Sequence, residues 1–455
     1  MAETLLGRHA TLVCPNCGWR FNYGPAVPGD AEGPFRTPRD VECPLCFEAT
    51  PIDPEHIAPS AGERILVHKW PYVVGGPFAP RRWDVIVFRD PRNPSENFIK
   101  RLVGLPNERI QIIDGDVYVA PRGESRFHIA RKPRYAQEQL WFPVYRQDYP
   151  PRRRAGAKMP AAWMPVAPHT DTAGWKGRAS RVLRFEPLGD QQETIVYEPA
   201  RSAHGLQDVY GYNHRRAHEW IGDVRMRGEL TWRSSRGELS WMIHRDADRF
   251  RVTLRRDGRV TLERNRSYGA GAYELLGQAD AKALAVGRPM EVEFGHLDYR
   301  VYVRIDGREI LATNPEQYAP DIEHLIGTRR VRPVELRMSA RGGALELRRL
   351  CIDRDVFYTH SPRTLRATAG EPFELRAGEY FVLGDNSPAS HDSREWSIAS
   401  ASLADPSRRP PYRIGTVPED QIVGRAFFVY LPSMAPLDER GRWRVPDVGR
   451  MRFVR

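Results

Sequence analysis

Short runs in which apolar and polar residues alternate make up much of this 455-residue chain. Alternation with a period of two is typical of β-strands, because successive side chains point to opposite faces of a sheet. Between residues 62 and 120 such runs are separated by turn-like breaks, which predicts a coiled, mostly antiparallel β-domain. The runs are ERILVHKW, WDVIVFRD, FIKRLVGL, RIQIID and DVYVA. The pattern therefore predicts a mainly β fold.

A second, longer series of such runs fills residues 180–358. The Asp257-Gly258 and Asp306-Gly307 steps within it are hairpin signals. Many short strands at this spacing predict a β-sandwich, similar by pattern alone to the jelly rolls of concanavalin or laminin-G type. Such a fold can bind sugars or proteins, but a structural or partner-docking insert is favoured. Cys351 is expected to be a buried, small apolar residue there.

Length and charge set outer limits on the function. A chain of 455 residues is too long for one ordinary domain. The net charge of +11 favours acidic surfaces such as anionic lipid or nucleic acid without selecting either. No stretch approaches the ~18 apolar residues that span a bilayer, and no signal peptide follows Met1. As written, the chain is expected to be soluble.

Residues 126–179 are rich in Trp, Pro and Arg and lack a regular period. They are predicted to form an irregular connector. The run Arg152–Arg154 within them could meet lipid headgroups, although a solvated basic run is the simpler interpretation.

Four of the five cysteines form two Cys-x-x-Cys pairs, CPNC and CPLC. Four thiolates suit tetrahedral zinc and leave no open position for catalysis. The 25-residue spacer between the pairs is rich in Gly and Pro, so it is predicted to be a loop. Residues 13–50 are therefore predicted to form a zinc ribbon, with two redox pairs or a degenerate site as alternatives. The predicted ligands are Cys14, Cys17, Cys43 and Cys46.

The run NFIKRLVGLP, residues 97–106, contains the most informative lysine of the chain. In a strand Lys100 would share one face with Phe98 and Leu102, while Arg101 points away. Loss of solvent disfavours the ammonium and lowers its pKa. A neutral lysine can deprotonate a serine, as in Ser-Lys catalysis. The alternative is a surface lysine beside an arginine.

Together with GEYFVLGDNSPASHDSREW, residues 378–396, that run strongly resembles the type I signal peptidase family. Members are membrane-bound Ser-Lys endopeptidases that remove secretory signal peptides. Further blocks follow in the order of the family, namely GERILVHKW, RRWDVIVFRDP, IIDGDVYV and GTVPEDQIVGRAFFVYLP. The resemblance implies a catalytic core split between residues 60–125 and 370–455. A ribbon inserted before GERILV is similar to a planctomycete-type subset of the family.

The resemblance also implies roles for the residues of GDNSPASHDSR. Lys100 would be the general base, and Ser390 would hydrogen-bond its amine and orient it. Asp392 and Arg394 would form an ion pair that supports the site. His391 is interpreted as incidental, because the family does not use a histidine.

Substrate contacts are carried over in the same way. In the family the substrate docks as an extended strand along the nucleophile and lysine segments. Met1, Leu5, Phe98 and Ile99 would then line shallow pockets, which favour Ala-x-Ala by excluding large side chains. Plain core packing of these four residues is the alternative.

The attacking serine of the family opens a box reading Ser-Met-x-Pro-Thr-Leu. Met1, Thr4 and Leu5 fit that box, with Glu3 in place of proline, so the serine would directly precede Met1. Residues 1–12 are therefore interpreted as the remnant of a nucleophile box, and the chain as written is expected to be inactive. Alternatively Met1 is the true start and the match is accidental. Ser60 is the other nucleophile candidate, although a turn before the next strand explains it more simply.

The reaction implied by the resemblance is cleavage of secreted precursors after Ala-x-Ala-like sites. Structural zinc is expected, with no catalytic cofactor. The expected partners are signal-peptide-bearing precursors and a membrane surface, and no nucleic acid. With an upstream anchor, the catalytic domain would lie on the outer side of the cytoplasmic membrane. The alternatives are an inactive peptidase-fold scaffold and a zinc-ribbon nucleic-acid-binding protein.

Overall fold

The computed structural model shows a chain built mainly from antiparallel β-strands, which confirms the predicted mainly β fold. It describes the whole chain except residues 2, 25–39, 53–59, 153–161, 167–172, 199–205, 210, 213–215, 267–270, 282–285, 329–332, 437–442 and 455. All strand pairs named below belong to the described part.

The N-terminal region consists of two small hairpins, each closed by one Cys-x-x-Cys pair. The chain turns because the carbonyl of Cys14 accepts from Gly18 N–H and that of Cys43 accepts from Phe47 N–H. The predicted loop between the pairs falls largely outside the described residues. The strands are β1 (Ala10–Val13), β2 (Arg20–Tyr23), β3 (Asp40–Glu42) and β4 (Ala49–Pro51).

The next five strands follow the runs predicted from the sequence. The turn between the last two uses Asp114 and Gly115, both with positive φ, at 51° and 84°. One break, PYVVGG, contributes to a short helix instead of an open turn. The elements are β5 (Arg64–His68), α1 (Trp70–Val74), β6 (Val85–Arg89), β7 (Asn97–Gly104), β8 (Glu108–Ile113) and β9 (Asp116–Pro121).

The middle of the chain forms two large sheets of eight and seven strands that share one apolar core. The elements are β10 (His128–Ile129), α2 (Arg134–Leu140), β11 (Phe142–Arg146), β12 (Trp163–Pro165), β13 (Trp175–Lys176), β14 (Val182–Phe185), β15 (Glu193–Tyr197), β16 (Gln207–Val209), β17 (Arg216–Trp220), β18 (Val224–Trp232), β19 (Glu238–Arg245), β20 (Asp248–Arg255), β21 (Arg259–Asn265), β22 (Glu274–Asp280), β23 (Pro289–Leu297), β24 (Arg300–Ile305), β25 (Arg308–Ala312), α3 (Ile322–Gly327), β26 (Glu335–Arg341) and β27 (Leu345–Arg354). We call the two sheets, together with the separate β16–β17 pair that lies between β15 and β18 in the chain, the sandwich; β10 pairs with β9 outside it.

The connector predicted over residues 126–179 is more regular than expected. Its strands β11, β12 and β13 pair with β27, β15 and β14 and extend both sheets of the sandwich. The aromatic residues that suggested an irregular segment explain the difference, because Trp163 and Trp175 are buried in the shared core. Of the basic run, Arg152 is described, and its N–H donates to the carbonyl of Asn16 in the ribbon. The other two arginines of that run lie outside the described residues.

The C-terminal strands return to the sheet begun by β5, β6 and β7. The order in that sheet is β30-β29-β7-β6-β31-β34, with β5 also paired to β31. β7 is therefore central, between β6 and a strand that lies more than 270 residues later in the chain. The elements are β28 (Phe373–Glu374), β29 (Glu379–Leu383), β30 (Val417–Pro418), β31 (Ile422–Leu431), β32 (Met434–Pro436), β33 (Arg444–Pro446) and β34 (Arg452–Phe453). We call the sheet around β7 the core sheet.

A buried ion cluster lies where the sandwich meets the strands near the core sheet. The Lys132 ammonium, just before α2, contacts Asp298 from the sandwich and lies 2.9 Å from Asp355. All three side chains are at most 2% exposed. Asp116 of β9 and Asp223 lie beside Asp298 in the same cluster. Charges this deeply buried are tolerated only when they are closely paired, so the cluster fixes the junction.

The helices are minor elements of five to seven residues. Ala136 and Leu140 of α2 are buried in the apolar cluster beneath β8 and β9. Among the described residues, none of the helices has the length and apolar character needed to cross a membrane.

Candidate active site and cysteine cluster

Lys100 lies on β7 opposite Ile86 of β6. Its neighbours on the same face, Phe98 and Leu102, pack into an apolar cluster with Ile86 and Phe88. Burial in this setting lowers the pKa of the Lys100 amine below its usual value, while the nearby Asp392 carboxylate opposes the shift. The amine is therefore easier to deprotonate than that of an exposed lysine.

Ser390 is the direct hydrogen-bond partner of this amine. Lys100 Nζ donates to Ser390 Oγ over 2.9 Å, although the two residues are 290 positions apart in the chain. Ser390 ends a 3-10 turn, Ser387–Ala389, and its own N–H donates to the carbonyl of Ser387. The Ser390 side chain is thus held by the turn and faces the middle of the core sheet.

Asp392 and Arg394 form a buried, two-pronged ion pair. Arg394 Nε and Nη2 donate to the two Asp392 carboxylate oxygens over 2.9 and 2.8 Å. Asp392 also accepts from the Gly384 N–H, and both side chains are at most 2% exposed. Although burial acts to raise it, the pKa of the Asp392 carboxyl is held below its usual value by Arg394. The carboxylate therefore stays charged beside Lys100.

A second buried pair was missed by the sequence reasoning. Arg101 Nε and Nη2 each donate over 2.9 Å to Asp385, and neither side chain is exposed. Arg101 Nη1 also donates to the carbonyl of Trp83. The signal was present, because an arginine in the middle of an apolar strand requires a charged partner when it is buried. The pair joins β7 to the segment that carries Ser390.

The surroundings of Gly384 are packed too closely for a larger side chain. A Cβ at this position would lie 2.1 Å from Ser390 Oγ and 3.3 Å from Lys100 Nζ. The first distance is far below any van der Waals contact. The hydrogen bond between Lys100 and Ser390 therefore requires glycine here.

The four predicted substrate-contact residues are divided between two apolar clusters. Met1, Leu5 and Ile99 pack with Val87 in one cluster. Phe98 packs in the other cluster, with Phe88, and the Arg92 guanidinium lies 5.2 Å from the centre of its ring. Three of the four residues are thus brought together, and Phe98 lies apart from them.

The N-terminal segment lies against the same site. Burial, reinforced by the charge of Lys100, lowers the pKa of the Met1 α-amine to about 5. Burial acts to raise the pKa of the Asp385 carboxyl, but Arg101 and, more weakly, the Met1 α-amine hold it below its usual value. The Thr4 hydroxyl donates to the carbonyl of Gln139 over 3.4 Å. The start of the predicted nucleophile box is therefore near both Lys100 and Asp385.

The two remaining candidates have other partners. Ser60 Oγ donates to the carbonyl of Met434 over 3.1 Å, and Ser60 forms an isolated bridge with His9. His391 Nδ1 lies 3.3 Å from a carboxylate oxygen of Glu395.

The two Cys-x-x-Cys pairs converge on one point. Their four sulfur atoms lie within 4.8 Å of one another. The Cys14–Cys46 and Cys17–Cys43 sulfur separations are 3.5 and 3.7 Å. In a tetrahedral site with metal–sulfur bonds of about 2.3 Å, neighbouring sulfurs are about 3.8 Å apart. The set could therefore bind a metal ion.

A family model described as signal peptidase, peptidase S26 matches residues 47–150 and 337–431. The first stretch contains β5 to β9, and the second contains β29 and β31. The matched stretches thus include the strands on both sides of Lys100.

Two curated relatives are signal peptidase I of Rickettsia typhi and of Rickettsia prowazekii. Each is 50% identical to this chain over 40 residues, which are 9% of this chain and 15% of the relative. The match thus spans less than a sixth of the length of these relatives. Together with the family match, it supports a place in the type I signal peptidase family.

The solved structures found in the comparison are only distantly similar. A carbohydrate-binding module, CBM66 from Bacillus subtilis, has a TM-score of 0.27 at 11% identity, over 43% of this chain and 97% of that one. Sheep galectin-11 has a TM-score of 0.21 at 14% identity, over 30% of this chain and 92% of that one. At these scores the likeness carries no inference.

Replacing Gly384 with alanine should separate Lys100 from Ser390, because the new methyl group overlaps Ser390 Oγ. We expect the pH dependence of Lys100 acetylation by acetic anhydride to move downward by about half a unit or more, a roughly threefold change in neutral amine, because the ammonium loses a hydrogen-bond acceptor. Mass spectrometry can follow it site by site, since the chain has only six lysines, with exposed Lys176 as internal reference.

Gly189→Ala is the matched control, because a Cβ at Gly189 meets no heavy atom within 4 Å. Identical Lys100 profiles in the Gly384→Ala and Gly189→Ala proteins would contradict the packing argument.

Proposed function

We propose that this chain is a signal peptidase I-like serine endopeptidase that removes signal peptides after Ala-x-Ala-like sites by a Ser-Lys dyad. The observation that carries the proposal is the half-buried Lys100 side chain, whose amine is bonded to Ser390 in the centre of the core sheet. The stretches that match the family model supply both residues. The match with curated relatives concerns a short segment, so the activity rests on this geometry.

In the proposed reaction neutral Lys100 accepts the proton of the attacking serine. The serine oxygen bonds to the scissile carbonyl carbon, and the peptide C–N bond then breaks to leave an acyl-enzyme. The lysine returns its proton to the leaving amine, and water hydrolyses the ester. Ser390 orients the amine, and the Asp392–Arg394 pair holds the segment that carries Ser390. The lowered pKa of Lys100 makes its base form more available than that of an exposed lysine.

We propose that the attacking serine is the residue joined to the nitrogen of Met1. Two features support this position. Met1, Thr4 and Leu5 fit the nucleophile box, and the Met1 nitrogen is buried close enough to Lys100 for the two charges to interact. The N–H of that serine would also help stabilise the oxyanion.

The proposal predicts that a chain extended upstream, with serine directly before Met1, cleaves a precursor carrying an Ala-x-Ala site. The same chain with alanine before Met1 should be inactive, as should the sequence as given. Lys100→Met in the serine-extended chain should lower kcat by about 10⁴-fold or more, the usual cost of losing a dyad member. Chromatographic separation of precursor and product measures the rate.

The pH profile of the same reaction tests the role of Lys100. Only the neutral amine accepts a proton, so kcat/KM should rise with pH and level off above the Lys100 pKa. Because burial lowers that pKa, the plateau should begin well below the ordinary lysine value of about 10.4. Cleavage by the alanine-extended or Lys100→Met chain would contradict the mechanism and leave the inactive scaffold as the better interpretation.

We also propose that the four cysteines hold a structural zinc ion. Their sulfur separations support tetrahedral thiolate coordination, and four protein ligands leave no position for substrate. The ion would hold the two hairpins together, while the peptidase chemistry would proceed without it.

The zinc proposal predicts one equivalent of zinc per purified chain and its loss in Cys43→Ser. Cys351→Ser is the control, because Cys351 is buried on β27, is not one of the four clustered cysteines, and its loss should leave the metal content unchanged. Inductively coupled plasma mass spectrometry measures the zinc content of the parent chain and of both variants. Full zinc retention in Cys43→Ser would contradict the four-cysteine site.

We further propose that the enzyme works at a membrane surface, with precursors carrying signal peptides as its partners. An exposed apolar patch on and after α1 supports this proposal. Tyr72 packs into the apolar cluster beneath the core sheet, while Trp70 and Val73 of the same helix are exposed to solvent. The patch consists of Trp70, Val73, Val74 and Phe78, with exposures of 56%, 86%, 64% and 47%.

Replacing both Trp70 and Val73 with serine should weaken cosedimentation with anionic phospholipid vesicles several-fold, because burial of this apolar area contributes to binding. Leu188→Ser is the control, since Leu188 is 75% exposed in the sandwich. Equal vesicle binding by the two variants would contradict the proposed patch.

A further inference from the structure

A segment of the sandwich reaches the turn that carries Ser390. The segment runs over residues 206–212, of which residue 210 lies outside the description. Gly211 N–H donates to Asn386 Oδ1 over 2.9 Å. Asn386 follows Asp385 and begins the turn, and its carbonyl accepts from Ala389 N–H. The backbone of the insert thus holds the first residue of the turn.

Asp208, in the same segment, is connected to the other end of the site through Thr359. Asp208 is 2% exposed and accepts the Thr359 hydroxyl over 2.8 Å. Thr359 N–H donates to Ser387 Oγ over 2.8 Å, and the Thr359 carbonyl accepts from Arg394 over 2.6 Å. The fixed position of Thr359 therefore depends on Asp208, and both Ser387 and Arg394 depend on Thr359.

Tyr212 connects the same segment to the N-terminal strand of the site. The Tyr212 hydroxyl accepts a hydrogen bond from Gly7 N–H, two residues after Leu5 of the predicted nucleophile box. Its ring lies parallel to that of His9 at a centroid distance of 6.4 Å. A Cβ at Gly24 would lie 3.0 Å from Tyr212 Cβ, so the ribbon also packs closely here. One short segment thus contacts both the turn that carries Ser390 and the N-terminal stretch that would follow the nucleophile.

We propose that residues 206–212 of the sandwich are a positioning element of the catalytic centre, with Asp208 and Tyr212 as its positioning residues. The effect on cleavage rests on the proposed peptidase function. The effect on the setting of Lys100 rests only on the hydrogen bonds described. The inserted sandwich is therefore a working part of the site, and any change that moves this segment also moves the partners of Lys100.

Substitutions can separate the two sets of hydrogen bonds that connect the segment with the site, one through Asp208 and Thr359 and the other through Tyr212. Asp208→Ala removes the acceptor for Thr359, and Thr359→Val removes the same hydrogen bond from the other side. Asp208→Ala also removes the ion pair of Asp208 with Arg354 Nη1, 3.2 Å away, so Thr359→Val is the cleaner test of this hydrogen bond. Tyr212→Phe removes only the acceptor for Gly7 N–H. Asp190→Ala is the matched control, because the Asp190 side chain is 89% exposed in the sandwich.

The first measurement is the acetylation profile of Lys100 in the full-length chain, which needs no catalytic activity. We expect Asp208→Ala, Thr359→Val and Tyr212→Phe each to shift the profile by about half a pH unit, a threefold change in neutral amine, because each moves the partners of Lys100. Asp190→Ala should leave it unchanged.

The second measurement is cleavage by the serine-extended chain. Since the segment contacts the site from outside, Asp208→Ala, Thr359→Val and Tyr212→Phe should lower kcat about tenfold with little change in KM. If the extended chain does not cleave but the Lys100 profiles shift, the peptidase proposal fails and the positioning of Lys100 stands.

Lys100 profiles that stay unchanged in both Tyr212→Phe and Thr359→Val overturn the inference. If Asp208→Ala does not fold, Thr359→Val and Tyr212→Phe still decide the outcome, because each removes one hydrogen bond without opening a large cavity.

Discussion

The buried pair of Arg101 and Asp385 is the interaction on which the candidate site depends. It joins β7 to the segment after β29 with two hydrogen bonds of 2.9 Å between side chains that have no solvent exposure. Removing either partner would leave a full charge uncompensated in the protein interior, at a cost of about 3–5 kcal/mol. Lys100 directly precedes Arg101 in the chain, and Gly384 directly precedes Asp385. The Arg101–Asp385 ion pair therefore also sets the distance between the Lys100 amine and Ser390.

Two opposing effects act on the charge of the Lys100 amine. Low solvent contact favours the neutral amine, but a carboxylate beside it favours the ammonium. Asp392 lies near enough to raise the Lys100 pKa, yet it is occupied by Arg394 in a two-pronged pair. Arg394 therefore limits how strongly Asp392 can hold the proton on Lys100. This arrangement explains how a charged pair can lie beside an amine whose neutral form is favoured by burial.

Much of the architecture could be predicted because it depends on local patterns. Period-two alternation located β5 to β9 and most sandwich strands, and the Asp-Gly steps located turns. Pairings between distant strands could not be obtained this way, since alternation fixes the faces of a strand but not its neighbours. The strands of the predicted connector were missed because their aromatic residues, such as Trp163, fill a core built from other segments.

The same distinction applies to the candidate site. The resemblance named Lys100, Ser390, Asp392 and Arg394, and these residues lie together in the structure. Their roles in catalysis stay predictions. Arg101 was missed because its partner is 284 positions away, and the contacts of Asp208 and Tyr212 were missed because they come from the insert. Phe98 was grouped with Ile99 although neighbouring strand residues face opposite sides of a sheet.

The ion cluster around Lys132 affects how the protein unfolds. Its members come from β9, from the stretch before α2 and from the sandwich, so no single unit contains a complete set. Neither unit can open alone without breaking pairs that the other unit needs. Unfolding by heat, denaturant or a protease should thus be cooperative across this boundary, and a destabilising substitution at the far side of the sandwich should also shorten the lifetime of the core sheet.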